Sequence, residues 1–292
     1  MHATTEEIIE VARPLTVHQG LYVTHMRDEA DHVMDSLDET LRIGRALNIQ
    51  VVVSHHKVTG TENFGRSAQT LAYLGEAMKH QRVCMDCYPY NASSTMIRNE
   101  PDMLDSPVLI ASSEPHPECV GRYLADIAKD WDLSVEQAAT QLQPGTAIYF
   151  KMHEDDVQRI LAFSETMVGS DGIPVGDRPH PRLWGTFPRV LGHYSRDLGL
   201  FPLETAVWKM TGLTARNFGL QGRGTLAVGQ HADIVLFNAQ TVRDTANYDH
   251  PTRAAEGIHS VIVNGTLAWH EGRHTGSRSG QVLTRATGQA AL

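Results

Sequence analysis

Four short apolar segments of the chain end in polar or ionisable residues, with stretches of amphipathic helical pattern between the first three. The segments cover residues 20–27, 49–57, 83–90 and 166–172. Their β-branched residues predict buried strands, and the helical stretches between them predict parallel βαβ connections. The carboxyl ends of parallel strands share one edge of a sheet, and α/β enzymes hold their active sites at that edge. The pattern therefore predicts an α/β enzyme.

Composition and charge exclude several other classes of protein. The 292 residues carry a net charge of −9 without a cluster of Lys and Arg, which argues against nucleic acid as a partner. No run approaches the roughly 20 apolar residues of a membrane span, and the first residues lack a signal-peptide pattern. Three cysteines do not suggest a disulfide framework, and we interpret Cys84 and Cys87 as buried thiols. We expect a cytoplasmic protein that binds neither nucleic acid nor membrane.

Two regions depart from the alternation of strands and helices. Residues from about 91 to 164 separate the third and fourth strands, and connections of this length are usually lids or binding elements. We interpret this insertion as a lid. From about residue 222 the sequence is β-rich with Gly and Asn turns, and Asn264-Gly265 is a strong hairpin signal. The predicted division is residues 1–221 and 222–292.

Three predicted strand ends carry residues that bind metals. His25 ends the first strand, His55 the second and Asp171 the fourth. Two imidazoles and a carboxylate suit Zn²⁺ or a similar divalent ion, and three ligands leave a position open for water. Each residue alone would more often be a structural hydrogen-bonding group, but the three together favour a metal site. Lys57, two residues beyond His55, is a candidate partner for a carboxylate, with a solvated lysine as the alternative.

Several of these segments contain motifs that resemble the D-aminoacylases, the N-acyl-D-amino-acid deacylase family of the amidohydrolase superfamily. The motifs are THMRDEAD at 24–31, SHHK at 54–57, YPY at 88–90, GSDG at 169–172 and HPRLWG at 180–185. Residues 224–237 resemble the small β domain of amidohydrolases. The resemblance covers essentially the whole chain and is closest to the N-acyl-D-glutamate deacylases, because of residues 115–119 and 147–150.

The resemblance implies a fold and a set of site residues. The fold would be the C-terminal half of a (β/α)₈ metal-dependent hydrolase barrel, strands five to eight, plus part of a small β-sandwich domain. His25 and His55 would hold one tightly bound zinc, and Asp171 would be the catalytic general acid/base that can also contact a second, weaker metal. Family positions associated with the substrate match four residues: Lys57, Tyr88, Ser94 and Arg182.

The implied reaction is metal-dependent hydrolysis of the amide bond of an N-acyl-D-amino acid to a carboxylate and a D-amino acid. Arg182 suits two-point capture of the α-carboxylate of this small-molecule substrate, with a structural salt bridge as the alternative. If the substrate is N-acyl-D-glutamate, its side-chain carboxylate needs a second cation. Lys57 and Arg98 are the candidates.

Family members also carry a His-x-His strand and a metal-binding cysteine, neither of which precedes His25 here. We therefore expect a truncated chain that binds zinc weakly, has little activity alone and self-associates through exposed barrel edges. Two alternatives stay open. One is a cyclic-amide hydrolase similar to dihydroorotases or hydantoinases, and the other is an inactive fragment.

Overall fold

The computed structural model describes residues 3–174, 176 and 178–285. The strands, in chain order, are β1 (Leu21–Thr24), β2 (Gln50–Val53), β3 (Val83–Cys87), β4 (Ser93–Met96), β5 (Val108–Ser113), β6 (Gly145–Tyr149), β7 (Thr166–Val168), β8 (Ile234–Phe237), β9 (Ile258–Val263), β10 (Thr266–His270) and β11 (Arg273–His274). The α-helices are α1 (Thr5–Ala12), α2 (Pro14–Val17), α3 (Val33–Leu47), α4 (Ser67–Ala77), α5 (Leu124–Asp130), α6 (Val135–Gln141), α7 (Glu154–Ala162), α8 (Arg182–Arg189), α9 (Leu203–Met210) and α10 (Gly212–Phe218). Short 3₁₀ helices cover Thr61–Asn63, Pro101–Met103 and Pro117–Cys119, and a π-helical segment, Val190–Asp197, continues α8.

A parallel sheet with the strand order β1-β2-β3-β7 lies at the centre of the fold. Val52 pairs with both Val23 of β1 and Cys84 of β3, and Met85 pairs with Thr166 of β7. Helices α3 and α4 connect the first three strands. The four predicted strands and their parallel order are therefore confirmed, and the chain has a mixed α/β fold.

The core of this sheet is formed by the apolar stripes of the flanking helices. Val33, Leu37 and Leu41 of α3 recur every four residues, which places them on one face of the helix, and all three are buried in the core. Helix α3 ends at Asn48, whose left-handed backbone (φ 51°) is one that asparagine tolerates at a helix end. Cys84, Cys87 and Cys119 are buried free thiols, as interpreted for the first two.

The predicted insertion contains an antiparallel sheet that the sequence analysis did not foresee. Strand β6 lies between β4 and β5, and helices α5 and α6 pack on this sheet around a separate apolar core. Helix α6 begins at the capping box of Ser134 and Gln137. Helix α7, at the C-terminal end of the insertion, packs instead against the parallel sheet through Val157, Ile160 and Leu161.

The C-terminal residues form a second antiparallel sheet, in the order β11-β10-β9-β8. Asn264 and Gly265 connect β9 to β10 with φ angles of 48° and 78°, so the predicted Asn-Gly hairpin is confirmed. Between β8 and β9 the chain returns to the core of the parallel sheet, where Val242 is fully buried. Among the helices that the structure describes, none has the length and apolar character needed to cross a membrane.

Candidate metal and substrate site

The carboxyl ends of β1 and β2 bring two predicted ligands together. His25 directly follows β1, and His55 comes two residues after β2. Nδ1 of His25 lies 3.0 Å from Nε2 of His55, and the two rings meet edge to face with centroids 4.8 Å apart. Adjacent parallel strands ending at one edge of a sheet produce this convergence.

Glu29 is a third potential ligand that the sequence analysis did not single out. Its Oε1 lies 3.1 Å from Nδ1 of His55 and 4.0 Å from Nδ1 of His25. Each of the three residues offers one ligand atom, and these atoms all lie within 4.8 Å of one another. The backbone carbonyl of Glu29 accepts a hydrogen bond from the N–H of Thr59 at 2.8 Å, which ties the loops after β1 and β2 together. The sequence signal that could have indicated Glu29 is its position, four residues after the histidine that follows β1.

Lys57 is buried and neutralises Glu29. Its Nζ lies 2.7 Å from Oε1 of Glu29 and 2.6 Å from Nδ1 of His55. Burial acts to raise the pKa of the Glu29 carboxyl, but Lys57 and the two histidines together lower that pKa to about 2. Glu29 is therefore ionised at neutral pH. Lys57 is the partner of a carboxylate, as predicted, and that carboxylate belongs to the protein.

The donor set of His25, Glu29 and His55 fits a divalent metal. Two imidazole nitrogens and one ionised carboxylate oxygen are ligands that Zn²⁺ accepts. The ammonium group of Lys57 beside them is a competing cation.

Asp171 and Arg182 form an ion pair beside this group. Nη2 of Arg182 lies 2.8 Å from Oδ2 of Asp171, which comes three residues after β7. Arg182, in the first turn of α8, is 1% exposed. Among the described residues, the group of three ligands does not include Asp171, so the structure pairs this predicted ligand with arginine rather than with the histidines. Nε and Nη1 of Arg182 are buried and have no hydrogen-bond partner among the described residues.

A second aspartate, Asp86 in β3, holds the backbone at His55, and the sequence analysis did not identify it. Its Oδ1 accepts a hydrogen bond from the backbone N–H of His55 at 2.9 Å. Burial raises the pKa of Asp86, and the charge of Asp171 acts in the same direction. The chain leaving β7 can pass close to the Asp86 carboxyl because residue 169 is glycine. An added Cβ at Gly169 would lie 2.8 Å from Oδ1 of Asp86.

The backbone of both His55 and Asp171 adopts the left-handed conformation. Their φ angles are 41° and 47°. Residues with a Cβ rarely take this conformation, and they keep it where the surrounding structure holds it, often at functional sites. At these two strand ends it turns the chain immediately after the sheet.

Tyr88 connects the two charged groups of the site. Its ring centroid lies 4.5 Å from Cζ of Arg182 and 5.6 Å from Nζ of Lys57, so the ring contacts both cations. Burial raises the pKa of the Tyr88 hydroxyl well above its usual range. The hydroxyl therefore stays neutral, and it donates a hydrogen bond to Sδ of Met152 at 3.9 Å.

Ser94 and Arg98, the other two predicted substrate residues, belong to the antiparallel sheet of the insertion. Ser94 lies in β4 opposite Ile148 of β6. Arg98 follows β4 and pairs with Glu100 at 2.8 Å, with 53% of its side chain exposed. Within the described residues, no hydrogen bond or ion pair joins either of them to His25, His55 or Arg182.

Comparison with known proteins finds relatives among the amidohydrolases. A sequence profile of the Amidohydrolase family matches residues 137–268. A D-aminoacylase from Alcaligenes xylosoxydans xylosoxydans is 58% identical over 283 residues, which cover 97% of this chain and 58% of the relative. The chain is therefore similar to members of the amidohydrolase family. It spans about three fifths of the length of the relatives it matches.

Solved structures of two relatives share its fold. A structure of a D-aminoacylase with a binuclear metal centre matches with a TM-score of 0.95 at 58% identity, over 97% of this chain and 60% of that chain. The N-acyl-D-glutamate deacylase from Bordetella bronchiseptica, in complex with zinc and a phosphonate inhibitor, matches with a TM-score of 0.93 at 46% identity, over the same shares. The identity to the D-aminoacylase is the higher of the two, which corrects our expectation that the sequence is closest to the glutamate-specific enzymes.

Proposed function

We propose that the protein to which this chain belongs hydrolyses the amide bond of N-acyl-D-amino acids with the help of a divalent metal. One observation carries the proposal. A group of metal-binding residues, His25, Glu29 and His55, lies beside an ion pair of Asp171 with a buried arginine that retains two donors without partners among the described residues. Similarity to a D-aminoacylase and to an N-acyl-D-glutamate deacylase supplies the substrate class.

We also infer that β1, β2, β3 and β7 are strands five to eight of a (β/α)₈ barrel, and that β8–β11 belong to a β-sandwich. The parallel strand order and the position of the polar residues at the carboxyl ends support the barrel. The TM-score of 0.95 to a D-aminoacylase supports both parts.

The metal would be held by His25 and His55, with Glu29 as a further oxygen donor. We propose zinc because the relative from Bordetella bronchiseptica binds it, and a second, weaker site near Asp171 because a related D-aminoacylase has a binuclear centre. A zinc ion held there would supply a Lewis acid for the amide carbonyl and would lower the pKa of a water molecule toward about 7.

Within this scheme Asp171 is the general base and acid. Its carboxylate takes a proton from the attacking water and then gives that proton to the leaving amine. Arg182 holds Asp171 through Nη2, and Nη1, which has no partner among the described residues, can donate to the α-carboxylate of the substrate. Tyr88, with its neutral hydroxyl, is a further donor beside Arg182.

We propose that the side chain of the preferred substrate is neutral. Both candidate cations for an acidic side chain already have a carboxylate partner, since Lys57 pairs with Glu29 and Arg98 pairs with Glu100. The higher identity to the D-aminoacylase than to the glutamate-specific enzyme agrees with this. The similarity to a D-aminoacylase and to an N-acyl-D-glutamate deacylase favours a linear amide over the cyclic-amide alternative.

The decisive assay measures amide hydrolysis in the zinc-loaded protein. Because the chain covers 58% of the Alcaligenes D-aminoacylase, it is joined for this purpose to the portion of that relative it does not match. We expect release of D-leucine from N-acetyl-D-leucine, with little release of L-leucine from the L-isomer and no opening of hydantoin. His55→Ala in the same protein is the matched control and abolishes release. Hydantoin opening without hydrolysis of any N-acyl-D-amino acid would reject the proposal.

We further propose that the 292-residue chain alone self-associates through its parallel sheet. In the described residues, β1 and β7 each pair on one side only, which leaves backbone donors and acceptors along both edges. Sedimentation of the isolated chain tests this. We expect concentration-dependent oligomers, and a monomer at all concentrations would contradict it.

A further inference from the structure

The carbonyl of Pro89, between Tyr88 and Tyr90, is held by a donor from α8. Nε of Arg189 donates to it at 2.9 Å, whereas the nearby hydroxyl of Tyr194 donates to Oε1 of Glu154 at 2.8 Å. Tyr90 also closes a tight turn by donating its N–H to the carbonyl of Tyr88 at 3.0 Å. Arg189 therefore holds the backbone of the segment that follows β3, one residue after Tyr88.

Arg189 is in turn fixed by the C-terminal part of the chain. Its Nη1 lies 3.2 Å from Oδ2 of Asp244, whose side chain is only 12% exposed. Its guanidinium also lies over the ring of Tyr90, with Cζ 5.0 Å from the centroid. A guanidinium that meets a carboxylate, a carbonyl and an aromatic face has little freedom to move.

Two glycines allow the segment around Asp244 to approach α8 and the π-helical segment directly. An added Cβ at Gly185 would lie 3.1 Å from Cβ of Asp244, and one at Gly192 would lie 2.5 Å from the carbonyl oxygen of Val242. That carbonyl accepts a hydrogen bond from Nη1 of Arg196 at 2.7 Å. The contact is thus closely packed, and it anchors Asp244 to the same core as the parallel sheet.

We propose that Asp244 is a positioning residue for substrate binding, acting through Arg189 and the carbonyl of Pro89 on Tyr88. The chain of contacts runs from the C-terminal segment to the ring that touches both Arg182 and Lys57. The effect on substrate rests on the proposed function, because it requires Tyr88 to contact the N-acyl-D-amino acid.

The test compares Asp244→Asn with Glu256→Gln in the joined, zinc-loaded protein. Glu256 pairs with Arg243, the neighbour of Asp244, but this pair is exposed and Arg243 does not contact Pro89. We expect Asp244→Asn to raise KM for N-acetyl-D-leucine about three- to tenfold with little change in kcat, as for loss of one hydrogen-bonded charge that supports ground-state binding. Amide hydrogen exchange in residues 88–92 should accelerate in this variant. Glu256→Gln should change neither KM nor the exchange rate of residues 88–92. Asp244→Glu should bring KM most of the way back to the parent value.

The possible results separate three cases. Unchanged KM and unchanged exchange in Asp244→Asn overturn the proposal. So does faster exchange throughout the parallel sheet, or an equal effect of Glu256→Gln, because either would reveal a general loss of stability. If the parent hydrolyses no N-acyl-D-amino acid, the proposed function fails, and exchange at residues 88–92 still decides whether Asp244 positions this segment.

Discussion

Replacing Arg182 with lysine separates two possible roles of the buried guanidinium. Arg182 uses Nη2 to hold Asp171 at 2.8 Å, while Nε and Nη1 have no partner among the described residues. A lysine ammonium can keep the contact with Asp171, but it cannot reproduce the planar set of N–H groups that the guanidinium presents at the same time to a second carboxylate. The substitution should therefore affect substrate recognition more than it affects Asp171.

The structure gives the magnitudes expected for the two effects, on substrate recognition and on Asp171. A hydrogen bond to a charged group in a closed site contributes about 1.5–3 kcal/mol, which corresponds to roughly a ten- to hundredfold change in kcat/KM. The side chain of Asp171 is 34% exposed, so water replaces part of the stabilisation that Arg182 provides to its carboxylate. The loss of the contact between residue 182 and Asp171 should cost about 0–1 kcal/mol, as for exposed ion pairs. This corresponds to less than about a fivefold change in kcat/KM.

The assay compares kcat/KM for N-acetyl-D-leucine with kcat/KM for its α-carboxamide. We expect Arg182→Lys to lose about ten- to hundredfold on the acid and less than about fivefold on the amide. Arg98→Lys, at an exposed arginine that pairs with Glu100, is the matched control and should change neither value. Equal losses on the acid and the amide would refute the carboxylate-binding role and leave Arg182 as a support for Asp171 alone.

Four further predictions follow from single contacts. Asp171→Asn should lower kcat by about 10²–10⁴ with an unchanged circular dichroism spectrum, because the amide cannot carry the proton; a kcat within a few-fold of the parent would exclude the role. Glu29→Gln should weaken zinc binding about ten- to hundredfold in a calorimetric titration, and equal affinity would remove Glu29 from the metal group. Lys57→Gln should reduce kcat/KM for N-acetyl-D-glutamate and N-acetyl-D-leucine by the same factor, since Lys57 already neutralises Glu29; a larger loss on the glutamate substrate would favour an acidic-substrate enzyme. Asp156→Asn should cost about 1–3 kcal/mol in urea unfolding, because the buried Asp156 carboxylate accepts backbone hydrogen bonds from Gly65 at 2.7 Å and from Ser67 at 3.2 Å at the start of α4; an unchanged midpoint would contradict this.

The parallel sheet was predictable because its signals are local. Each strand is a short run of mostly apolar residues, and each polar residue that ends a strand lies next to that run in the sequence. The closeness of His25 and His55 follows from strand order alone, because neighbouring parallel strands end at the same edge.

Residues that reach the site from loops or from distant segments were harder to predict. Glu29 is brought to His55 by the loop contact with Thr59, which has no local signature. The sheet of the insertion was not predicted because Ser93–Met96 is a polar strand that pairs with residues about fifty positions away. The ion pair of Asp171 with Arg182 depends on how α8 packs, which periodicity does not reveal.

The burial of Val242 and the ion pair of Asp244 with Arg189 have a consequence for biosynthesis. All the proposed catalytic and substrate residues, the last of them Arg182, leave the ribosome before residues 242–244 do. Those later residues complete the core under the parallel sheet and fix the arginine that holds the chain after β3. At roughly 5–20 residues per second, the interval between Arg182 and Asp244 is on the order of 3–12 seconds. During that time a nascent chain carries the proposed site residues without the segment that fixes Arg189, so the complete arrangement forms only after residues 242–244 have been synthesised.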